Sequence, residues 1–153
     1  MLCSAFGTKY NLTVLGACCL AGCISQGSVL SLSSDISISS EVAVQLLRQG
    51  KILLVDTRPT SERSGRHISQ AIAIQFGPDP WNDNVTEQER DVFLATLTAA
   101  GVSKDDQIVI ICNAGIRSLA AAQFLRSLNF TNVKNVIGGY LGRDSDAGWQ
   151  FFQ

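Results

Sequence analysis

Four short runs rich in apolar, β-branched residues punctuate this chain: KILLVD (51–56), AIAIQF (71–76), QIVIIC (107–112) and VKNVI (133–137). They have the length of strands, and KILLVD and QIVIIC are near-continuous, as strands buried on both faces require. DISIS (35–39) adds a short alternating strand. Between these runs the spacing turns helical. Ser39 or Ser40 can cap a helix over 41–49 that Gly50 ends. Thr86 and Glu89 form a capping box that opens a helix over 87–100, closed by Gly101. In 118–129, Leu119, Ala122, Leu125 and Leu128 fall on one helical face. Residues 57–70 read as a polar turn region holding one helical turn, and Pro78 and Pro80 break regular structure in the loop that follows. Strands alternating with helices predict an α/β fold, a central and mostly parallel sheet of about five strands with helices on both faces.

Composition narrows the picture. The 153 residues are 46% apolar with a formal charge of −1, which suits one globular domain plus extensions and gives no sign of a nucleic-acid partner. The charges are unevenly placed: none lies between Tyr10 and Ser34, and every acidic residue falls at Asp35 or later. Within that uncharged stretch, Lys9 flanks an apolar core of signal-peptide length that ends in Leu20-Ala21-Gly22. Leu-Ala-Gly directly before Cys23 resembles the lipobox of bacterial lipoproteins. The resemblance implies a signal peptide over 1–22, cleavage before Cys23, acylation of Cys23, and an exported protein held at a bacterial membrane or in the periplasm. An uncleaved anchor and a buried helix are the alternative readings, although Gln26, Gly27 and several serines make a poor membrane span. Residues 23–34 read as a Ser-rich tether, and 35–153 as the folded domain.

Cysteine usage then singles out one position. Of five cysteines, Cys3, Cys18 and Cys19 fall in the leader and Cys23 would carry lipid, so Cys112 is the one thiol left in the domain. By count alone, an inert core cysteine is the natural reading. Its surroundings argue otherwise. Cys112 ends a strand, and in a parallel sheet chemistry collects where loops leave the carboxyl ends of strands. Gly115 lets the next residues curl tightly, so that backbone N–H groups converge on an anion. The following helix N-terminus and Arg117 add positive charge. Asn113 to Ser118 thus form a loop suited to a sulfur anion.

These residues carry a family resemblance: the chain resembles a single-domain rhodanese, a sulfurtransferase. Cys112-Asn113-Ala114-Gly115-Ile116-Arg117-Ser118 is similar to the family's active-site loop of Cys, two variable residues, Gly, one variable residue, Arg and Ser. Asp56, Arg58 and Glu62 resemble its strand-end Val-Asp-x-Arg and downstream Glu. HISQAIAI (67–74) resembles Gly-His-Ile-Pro-Gly-Ala, and Gly138-Gly139 with Trp149 completes the set. The departures are Arg66 before His67, Ser69-Gln70 in place of Pro-Gly, and a longer segment between the double glycine and Trp149 that brings Arg143 and Asp144 toward the rim. Asn113 stands where some thiosulfate-specialised members carry a basic residue, so the loop holds less positive charge for thiosulfate as the physiological donor.

The resemblance implies a three-layer rhodanese-like fold and two displacements on sulfur. Cys112 is the nucleophile. It takes a sulfane sulfur from a donor such as thiosulfate, becomes a persulfide, and yields the outer sulfur to a thiol or cyanide. The loop residues Asn113, Ala114, Gly115, Ile116, Arg117 and Ser118 bind the substrate and stabilise the anion. Asp56 and Arg58 serve as structural support, and His67, the single histidine, as a structural residue. No cofactor or metal is expected. A persulfide carrier or redox-sensing module that docks a protein acceptor is the alternative. A cysteine phosphatase fits less well, because its loop is one residue longer between Cys and Arg and cradles a larger anion.

Overall fold

The computed structural model describes residues 35–77 and 84–152. The expected signal peptide, Cys23, the tether over 23–34 and the loop bearing Pro78, Pro80 and Trp81 lie outside the described residues. The chain runs β1 (Ser37–Ile38), α1 (Ser40–Arg48), β2 (Leu53–Asp56), α2 (Thr60–Arg63), β3 (Ala71–Ala73), α3 (Glu87–Ala99), β4 (Ile108–Ile111), α4 (Ile116–Ser127), β5 (Val133–Val136) and a 3-10 turn at Trp149–Phe151. The strands form one sheet in the order β1-β5-β4-β2-β3, and every neighbouring pair is parallel. The central strand β4, IVII, is buried at all four positions. That is the burial its unbroken apolar run requires.

Alternation along the strands sorts side chains to two faces. Val55, Ile108, Ile110 and Val133 pack with Phe93 and Leu97 of α3 and with Ala121, Ala122 and Leu125 of α4. Leu54, Val109, Ile111 and Val136 pack with Ala43, Val44 and Leu46 of α1 and with Trp149. Helices cover both faces, as a parallel sheet demands. Local signals place the helix starts: Ser39 Oγ accepts from Val42 N–H at 3.3 Å, and Thr86 with Glu89 forms the reciprocal capping box that opens α3.

Most elements are offset from the expected bounds by one or two residues, β1 and β2 each starting two residues late, and two of the differences bear on the site. The helix expected from 118 begins at Ile116, because Gly115 in the left-handed region (φ 81°, ψ −4°) turns the chain at once into α4. Its buried stripe is accordingly Ser118, Ala121, Ala122 and Leu125, while Leu119 and Leu128 stay half-buried. The strand expected to reach residue 76 ends at Ala73, although Ile74 and Phe76 remain buried. Their N–H groups follow β2 upward, bonding Asp56 O at 3.0 Å and Thr57 O at 3.2 Å, and Phe76 turns edge-on to Phe93 at 4.8 Å. Among the described residues no helix is long and apolar enough to cross a membrane.

Candidate active site

Cys112 directly follows β4, so its sulfur stands at the carboxyl end of the central strand, with β2 and β5 on either side. The strand end is held firmly. Thr57 donates to Ile111 O twice, from its N–H at 2.8 Å and from Oγ1 at 2.9 Å. Beyond it the loop carbonyls are tied to the double-glycine turn: Tyr140 N–H donates to Cys112 O at 2.8 Å and Leu141 N–H to Asn113 O at 3.0 Å. That approach requires glycine. A Cβ on Gly139 would lie 2.6 Å from Cys112 O, and one on Gly115 only 2.9 Å from the carbonyl carbon of Ile137.

With the carbonyls engaged, the amides are left over. Among the described residues no protein group accepts from the backbone N–H groups of Asn113 to Ser118. These donors span the turn through Gly115 and the first turn of α4, where orphan N–H groups and the helix dipole together favour an anion. Cys112 itself is 1% exposed, Asn113, Ala114 and Ile116 are half-buried, and Gly115, Arg117 and Ser118 are buried. Ser118 lies in the first turn of α4, with Oγ 3.2 Å from Cys112 Sγ.

Arg117 is wholly buried and points its charge at α2: Nη2 lies 2.6 Å from Glu62 Oε2. Its Nε and Nη1 have no acceptor among the described residues. Asp56 and Arg58, both buried, form a two-point pair at 2.8 to 3.2 Å. Arg58 also donates to Arg66 O at 2.8 Å and stacks 4.1 Å above the ring of Tyr140. The pair therefore supports the residue whose N–H holds the Cys112 carbonyl. His67 is exposed and lines a cleft of about 310 Å³ with Asp56 and Arg63. Arg143 and Asp144 pair with each other at 3.1 Å in solvent.

Two residues that the sequence did not single out complete the scaffold. Asp146 accepts from Ser40 N–H at 2.8 Å and Gly148 N–H at 2.9 Å, and it packs over Gly138, where a Cβ would lie 2.6 Å from its carboxyl carbon. It thereby joins the start of α1 to the double-glycine turn. Asn135, buried on β5, meets Ser118 Oγ at 2.7 Å. Cys112 is the free cysteine of the described residues, among which no three metal-ligating side chains converge.

The model of the rhodanese-like domain matches residues 39–143. The chain belongs to the rhodanese-like domain family. Among its relatives, the thiosulfate:glutathione sulfurtransferase of Homo sapiens is 31% identical over 96 residues, 62% of this chain and 81% of that protein. The adenylyltransferase and sulfurtransferase UBA4 of Candida albicans is 30% identical over 89 residues, 58% of this chain; the match spans only 18% of that longer protein. The crystal structure of Rv0390 from M. tuberculosis shares the fold, with a TM-score of 0.54 at 22% identity over 78% of this chain and 95% of that one. This rhodanese-like domain thus has sulfurtransferase relatives and a buried sulfur at the position where its sheet collects chemistry.

Proposed function

We propose that this domain transfers sulfane sulfur through a persulfide on Cys112. A Cys112 thiolate attacks the outer sulfur of a donor such as thiosulfate. The donor S–S bond breaks, sulfite leaves with its electron pair, and Cys112 holds the transferred sulfur as a persulfide anion. A thiolate or cyanide then attacks that outer sulfur, the new S–S bond breaks, and the Cys112 thiolate returns. Two displacements replace one difficult transfer, and both enzyme forms carry a negative charge on sulfur.

The observation that carries this reading is that the backbone N–H groups of Asn113 to Ser118, in the loop that directly follows the cysteine at the end of β4, have no protein acceptor among the described residues. Donors already aimed at a developing anion stabilise it with no reorganisation. Arg117, in the first turn of α4, adds a buried positive charge that is partly balanced by Glu62. The human relative, a thiosulfate:glutathione sulfurtransferase, favours thiosulfate as donor and a small thiol as acceptor. A protein thiol is a further acceptor of the same chemistry. The leader-like residues 1–22 and Cys23 extend the proposal to an exported, lipid-anchored enzyme.

The test is thiocyanate formation from thiosulfate and cyanide by the purified domain, alongside intact mass of the protein after thiosulfate alone. Activity, one added sulfur atom on Cys112, and loss of both in Cys112→Ser are expected. An unchanged rate in Cys112→Ser refutes the assignment.

A further inference from the structure

Asn135 is a buried amide in the middle of an apolar sheet, a placement that costs free energy unless its polar atoms are bonded. They are. Nδ2 donates to Ser37 Oγ on β1 at 3.2 Å, and Oδ1 lies 2.7 Å from Ser118 Oγ, which is itself 3.2 Å from Cys112 Sγ. A single file of polar groups thus runs from the edge strand to the reactive sulfur.

The file has a direction, because each group has a fixed inventory of protons. Ser37 takes the amide N–H, so the amide presents its oxygen to Ser118, and an amide oxygen only accepts. The one Ser118 proton therefore lies toward Asn135, and Ser118 Oγ faces the sulfur with a lone pair. A thiol S–H can donate into that lone pair; a thiolate or persulfide anion cannot. When Cys112 ionises, its proton passes to water and the Ser118 O–H turns from Asn135 Oδ1 to the sulfur. Asn135 and the sulfur anion compete for one proton.

We propose, resting on the sulfurtransferase reading, that Asn135 is a positioning residue that sets the ionisation of Cys112 through Ser118, and that Ser37 fixes its orientation. The charged groups on the surrounding elements do not take part in this file. Asp56 of β2 pairs with Arg58, Glu62 of α2 with Arg117 of α4, and Asp146 caps Ser40 and Gly148. Lys134 neighbours Asn135 on β5 but contacts Asp35 O from the opposite face.

The experiment measures iodoacetamide alkylation of Cys112 against pH in the full chain, by intact mass. Asn135→Leu, which keeps the shape and removes the acceptor, frees the Ser118 proton for the sulfur. Its alkylation midpoint is expected about one pH unit below that of the native chain, the size of one hydrogen bond to a charged group. Ser37→Ala, at a half-buried edge position, lets the amide turn its N–H toward Ser118 and should shift the midpoint the same way by less. It keeps the test valid if Asn135→Leu fails to fold. In a Ser118→Ala background the Asn135→Leu shift should vanish. A midpoint unchanged or raised in these variants, or a shift that survives Ser118→Ala, overturns the proposal. Failure of native Cys112 to accept sulfur from thiosulfate would instead overturn the sulfurtransferase reading, and the alkylation midpoints would still decide the role of Asn135.

Discussion

Gly115→Ala is the sharpest probe of how the loop is built, and Gly50→Ala is its control. Both glycines have positive φ, 81° and 65° respectively. An alanine in that region costs about 1–2 kcal/mol, partly offset by about 0.4–1 kcal/mol from the stiffer unfolded chain. At Gly50 nothing lies within 4 Å of the added Cβ, so the net loss should stay near 1 kcal/mol or below. At Gly115 the Cβ would also enter the Ile137 carbonyl, with its carbon at 2.9 Å and Val136 O at 3.1 Å. Backbone cannot swing aside as a flexible side chain does, and overpacking adds about 1–3 kcal/mol. The total for Gly115→Ala is therefore about 2–4 kcal/mol. Urea unfolding should place its midpoint about 1 M or more below that of Gly50→Ala. Thiocyanate formation should fall at least tenfold in Gly115→Ala, because the clash displaces the loop that joins Cys112 to α4, and should hold in Gly50→Ala. Equal midpoints and equal activity in the two variants would refute the claim that close approach to β5 shapes the loop.

Glu62→Gln should destabilise the fold by about 3 kcal/mol, since it leaves the buried Arg117 without its charged partner; urea unfolding checks this, and a loss below about 1 kcal/mol would mean that Arg117 is balanced elsewhere. If Cys23 carries lipid, incorporation of radiolabelled palmitate in a bacterial host should disappear in Cys23→Ala and persist in Cys112→Ser. Label retained in Cys23→Ala would rule out acylation at that residue.

Much of the fold was legible because its signals are local. KILLVD and QIVIIC announce buried parallel strands by composition alone, and Thr86 with Glu89 announces a helix start within four residues. Cys112 stood out because strand, thiol, glycine and arginine are consecutive in the chain. What escaped was nonlocal. Asp146 looks like one more polar residue in YLGRDSDAG, and its partner Ser40 is 106 positions away. Asn135 sits in VKNVI with nothing in the spacing to say that its amide faces Ser118 rather than solvent. The start of α4 lies two residues before Ser118, because a periodicity of apolar positions misses Arg117 and Ser118, which are polar and yet buried there. Burial of polar side chains at the site is what hydrophobic patterning cannot register.

The uniform strand direction has a consequence for how this molecule meets its surroundings. Ser37 is in register with Asn135 and through it with Ile110, so Asp35 enters two residues below that level and Cys112 follows two residues above it. At roughly 3.3 Å per residue the two points are separated by about 13 Å along the strand axis. Any segment ahead of Asp35 therefore joins the sheet at the end opposite Cys112. A tether attached ahead of Asp35, at a bilayer or on an affinity resin, would leave the Cys112 end of the sheet the farther from its point of attachment.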